Sequence, residues 1–74
     1  MSASEFIEQA IVKKIVDANV IVRSDDGVHF QVEVESTAFL GLSLVAQHRL
    51  VHQALGRDWA DKIHAIALTT KVPE

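Results

Sequence analysis

Val28-His29-Phe30-Gln31-Val32-Glu33-Val34-Glu35 alternates apolar and polar residues without a break. Successive strand side chains point to opposite faces, so this pattern predicts a strand that buries Val28, Phe30, Val32 and Val34 and turns His29, Gln31, Glu33 and Glu35 outward. Upstream, Val20 to Arg23 is a short β-rich run, and Ser24-Asp25-Asp26-Gly27 between the two runs has turn chemistry, with Gly27 suited to positive φ. The two strands therefore make a hairpin. Further upstream, Ile7, Ile11 and Ile15 recur every fourth residue between charged positions, and Ser2 with Glu5 has capping-box spacing, which predicts an amphipathic helix over about 4–18.

Downstream, Ser36 and Thr37 end the alternation and Gly41 marks a turn. Ser43 is placed to cap a helix that buries Leu44, His48 or Val51, and Leu55, and Gly56 is placed to end it. Residues 57–62 read as a short helical turn with Trp59 as a packing anchor, and residues 63–71 as the last strand. The order is αββααβ, an α+β fold with a three-stranded mixed sheet and helices on one face, in one domain spanning residues 1–74.

A chain of 74 residues buries only about 60% of its unfolded surface, which leaves no room for an enclosed catalytic cleft. Neither a P-loop, a dinucleotide-binding glycine motif nor a nucleophile motif occurs, so the reading is non-enzymatic. There is no cysteine, hence no disulfide and no thiolate to hold a metal cluster unaided. The formal charge of −3 opposes tight binding to phosphate backbones. No apolar run approaches the length of a membrane span, and the reading is a soluble, cytoplasmic protein.

Four histidines are the residues able to carry site chemistry. The residues alone leave His64 open between a locally hydrogen-bonded imidazole and a metal ligand. His29 points outward beside the hairpin turn, and is near His64 if the first and last strands flank a common end of the sheet. His48 and His52 have the i, i+4 spacing with which two imidazoles grip zinc, but neither an adjacent Glu nor an obvious third ligand accompanies them.

Three motifs occur in a telling order: Ser36-x-x-Phe39-x-Gly41, then Gln47-His48-Arg49-x-Val51-x-x-x-Leu55, then Ile63-His64-Ala65. In this order and spacing, with the Asp26 to Phe30 turn and strand, the chain resembles the BolA family over nearly its whole length. The resemblance implies a fold like the type II KH domain and a partnership with a monothiol glutaredoxin around a [2Fe-2S] cluster in cluster trafficking or iron regulation. It implies that His64 ligates that cluster, with the glutaredoxin Cys and a glutathione thiol on the other iron. A second ligand, Cys or His in the family, comes from the loop between the first two strands. The loop here holds no Cys, so the role passes to His29, with Asp26 as a fallback oxygen donor.

The resemblance also marks Gln47, His48 and Arg49, with Arg57, as a partner or nucleic-acid surface, although Gln47 replaces the family's usual Arg or Lys. A DNA-binding regulator is the alternative function. Type II KH domains clamp nucleotide backbone with a Gly-x-x-Gly loop, and Gly41 has no second glycine three residues on, so any DNA binding is expected to be weak and salt-sensitive.

Overall fold

A computed structural model describes residues 2–57, 59 and 65–74. Helix α1 (Ala3–Lys14) starts where the Ser2 hydroxyl accepts the Glu5 N–H, and places Glu5 in its first turn and Lys13 and Lys14 in its last, matching the helix dipole. It ends four residues sooner than the isoleucine spacing suggests. Ile15 is already extended, and Asp17 takes a positive φ of 48° that no helix continues through. Ile7, Ile11 and Ile15 are all buried, so the apolar repeat outlasts the helix itself.

Strand β1 (Asn19–Arg23) pairs antiparallel with β2 (Phe30–Glu35), which pairs parallel with β3 (Ile66–Lys71), in the spatial order β1-β2-β3. The mixed sheet is the expected one. Its inner face carries Phe30, Val32 and Val34, packed against Ile7, Ile11, Val51 and Phe39 from the helical side. Burial of this apolar set is the main force that assembles the fold. Val28 departs from the alternation: it is 62% exposed, because β2 begins only at Phe30 and Val28 belongs to the turn.

After β2 a single 3₁₀ turn (Thr37–Phe39) buries Phe39 completely and leads to α2 (Leu44–Leu55). The Ser43 hydroxyl caps α2 by accepting the Ala46 N–H, and Gly56 ends it at φ 78°. Of the helix positions expected inside, Val51 and Leu55 are buried, His48 is half-buried and Leu44 is exposed. Gln47 and Ala54 complete the buried face instead. Trp59 anchors as expected: its ring meets Phe30 edge-on at 6.0 Å and Phe6 at 6.4 Å, tying β2 to α1. The Trp59 N–H donates to the Gly56 carbonyl, one bond of the expected short turn, whose remaining residues 58 and 60–62 lie outside the described residues. Ile63 and His64, read as the head of the last strand, lie outside them too.

Candidate functional site

The β1–β2 connection is too short to pack side chains of its own, so it is held by polar bonds. The Ser24 hydroxyl donates to the His29 carbonyl at 2.6 Å and accepts the Gly27 N–H at 2.9 Å. Asp26 works in the middle of the loop. Its Oδ1 accepts the Val28 and His29 N–H groups, both at 2.8 Å, and its Oδ2 lies 2.9 Å from His29 Nδ1. These bonds hold the Asp26 carboxyl well below the usual carboxylate range, the His29 side chain contributing most and the two backbone N–H groups next.

An ionised carboxylate only accepts, so the proton between the pair sits on Nδ1 and the lone pair of the neutral ring is on Nε2. The ring is 73% exposed. The carboxylate thus orients the imidazole and leaves Nε2 as its outward nitrogen. Asp26, the fallback oxygen donor of the sequence, is thereby bonded to the loop backbone and to His29.

His29 opens onto a shallow cleft of about 330 Å³ whose lining includes Arg23, Asp26, His29 and Gln31 on one side and Ala65, Ile66 and Ala67 on the other. Phe30 pairs in register with Ile66, so the hairpin turn and the entry to β3 share one end of the sheet. His64 lies outside the described residues, and its chain neighbour Ala65 lines this cleft. Among the described residues no group of three or more His, Asp or Glu side chains could hold a metal ion.

The remaining expected residues lie on or after α2. Arg49 and Arg57 are exposed, and His48 and His52 are half-buried neighbours one turn apart. Partial burial, and secondarily the charge of His48, lower the pKa of His52. Gln47 is not on the surface. It is 8% exposed, its Nε2 donates to the Leu42 carbonyl at 2.9 Å, and its Oε1 accepts the Thr70 hydroxyl at 2.7 Å. A glutamine can satisfy both bonds from inside the fold, so Gln47 does not take the surface place that the resemblance implies for the family's basic residue. No helix among the described residues is long and apolar enough to cross a membrane.

A three-stranded mixed sheet under two helices, with a histidine displayed at the hairpin end, defines a small α+β class. The sequence pattern of the family described as BolA-like protein matches residues 7–74, and the chain belongs to that family. It is 34% identical to BolA-like protein 1 of Mus musculus over 90% of its length and 53% of that protein. It is 52% identical to the DNA-binding transcriptional regulator BolA of Vibrio cholerae over 57% of its length and 40% of that protein. The chain thus spans about half of these curated relatives. A BolA homologue from Coxiella burnetii superposes with a TM-score of 0.78 at 34% identity, covering 99% of this chain and 94% of that one.

Proposed function

We propose that this chain is a non-enzymatic partner of a monothiol glutaredoxin, sharing a [2Fe-2S] cluster to which it contributes His29 and His64. The observation that carries the reading is the Asp26–His29 pair, which presents Nε2 beside the cleft that Ala65 lines. Family membership supports the same reading, since the resemblance assigns a cluster ligand to the position of His64. The absence of cysteine from the chain assigns the thiolates to the partner and to glutathione. Imidazole in place of thiolate on one iron raises the reduction potential of such a cluster. The testing experiment is co-expression with a monothiol glutaredoxin and purification through a tag on this chain. A coloured heterocomplex supports the proposal, and a colourless chain recovered alone contradicts it.

Direct DNA binding is the second reading, favoured by the name of the Vibrio cholerae relative. Against it stand the net charge of −3, the missing second glycine, and the burial of Gln47. Glu33 and Glu35 further occupy the open sheet face, held there by Lys71 at 3.1 and 3.7 Å.

A further inference from the structure

Helix α2 carries a histidine pair that the cluster reading does not use. His48 and His52 stand four residues apart on it, so they follow one another by about 40° around the axis, with Cβ atoms about 5–6 Å apart. The rotation of the helix is fixed. Val51 and Leu55 are buried in the core, and Gln47 ties α2 to the Leu42 carbonyl and the Thr70 hydroxyl. The Ser43 cap and the Gly56 exit bound the helix on either side of the pair. Both imidazoles are thus held on one flank by a frame that needs no reordering on binding. No residue of α2 lines the His29 cleft, so the pair is separate from it.

The rings are open to a ligand. Among the described residues neither imidazole makes a side-chain hydrogen bond or an ion pair, and no buried side-chain nitrogen lacks a partner. The nitrogens of both half-buried rings therefore reach solvent. Partial burial, and after it the charge of His48, favours the neutral form of His52. The neutral ring is the form that ligates metal, and the effect of one ring on the other reflects their closeness. Arg49 lies beside His48 in the chain and is exposed, so its charge stays in water.

We infer that His48 and His52 form a chelating site for a divalent transition-metal ion of the zinc and copper kind, with water in its remaining positions. Imidazole nitrogens suit Zn²⁺, Cu²⁺ and Ni²⁺, whereas Mg²⁺ and Ca²⁺ demand oxygen ligands. Among the described residues no third His, Asp or Glu completes the shell. The ion therefore keeps exchangeable positions, unlike one in a closed four-ligand structural site. Because one helical turn links the donors, the second ring meets the ion at a high effective concentration, and the pair binds far more tightly than either ring alone. The inference is independent of the cluster reading, since it needs neither glutaredoxin nor His29.

The test is a nuclear magnetic resonance titration of the isolated chain with zinc chloride, reading the histidine ring signals, and in parallel with magnesium chloride. The expected result is that the His48 and His52 signals move together along one saturation curve with zinc and stay in place with magnesium. His48→Gln and His52→Gln, each checked for a dispersed spectrum, should weaken that curve roughly hundredfold, the advantage lost when one donor of a linked pair is removed. Combining His52→Gln with Gln53→His keeps four histidines but breaks their spacing, and should not restore binding. Zinc should also raise the Tm of the wild-type chain more than that of either single variant, because the bridged turn exists only in the folded helix. Movement of only one of the two rings in the wild-type chain, an equal response to magnesium, or wild-type zinc affinity in either single variant or in the shifted pair would each overturn the inference.

Discussion

Thr70 Oγ1 donates to Gln47 Oε1 across 2.7 Å, a buried bond that joins the last strand to helix α2, and the Gln47 amide passes the connection on to the Leu42 carbonyl. Gln47→Ala leaves the buried Thr70 hydroxyl without this acceptor and the Leu42 carbonyl without this donor. The expected destabilisation is about 1–3 kcal/mol by urea denaturation. A change within a few tenths of a kcal/mol would mean that water or a neighbour replaces the amide.

That bond also marks where the sequence stopped being readable. Strand alternation, the caps at Ser2 and Ser43, and the turn at Gly27 all depend on neighbours in the chain, and each is found in place. Val28 departs from the alternation because the Asp26 carboxylate holds it in the turn, and α1 ends early where Asp17 bonds to Ser36 and Thr37, 19 and 20 residues away. The burial of Gln47 is not legible in the sequence, because it is decided by partners 5 and 23 residues away. Asp26 was legible as a turn residue, and its spacing of three from His29 carried the signal that it orients the ring.

Asp17 closes the exit of α1 onto the end of β2. Its carboxylate accepts the Thr37 hydroxyl at 2.7 Å and the Thr37 N–H at 3.1 Å, and the buried Ser36 hydroxyl lies 2.9 Å away. These bonds, the Thr37 hydroxyl first, lower its pKa. A carboxyl with a depressed folded-state pKa contributes stability above its unfolded value of about 3.9, and that contribution is lost as pH falls through the folded value. Asp17→Asn, which tolerates positive φ, should therefore lower the Tm at neutral pH, with the gap to wild type closing as pH falls below about 4. A gap independent of pH would contradict the carboxylate's role.

Trp59 joins α1 to β2 through Phe6 and Phe30. Trp59→Ala should cost about 3–5 kcal/mol, a large fraction of the stability of so small a domain, and Trp59→Phe distinctly less. Thermal melts followed by far-ultraviolet circular dichroism check the order, and equal melting temperatures for the two variants would contradict it.

The Asp26–His29 bond fixes which ring nitrogen carries the proton. Nitrogen-15 shifts of the isolated chain at about pH 8 should show His29 predominantly protonated at Nδ1, and Asp26→Ala should shift the population towards the Nε2-protonated form. An unchanged tautomer ratio would show that Asp26 does not orient the ring.

The cluster assignment is tested most directly by visible circular dichroism of the heterocomplex with a monothiol glutaredoxin, prepared with the wild-type chain, His64→Ala and His29→Ala. The expected result is a spectrum for the wild-type complex that is altered or lost in each variant while the isolated variant chains remain folded. Three superimposable spectra would contradict ligation by either histidine.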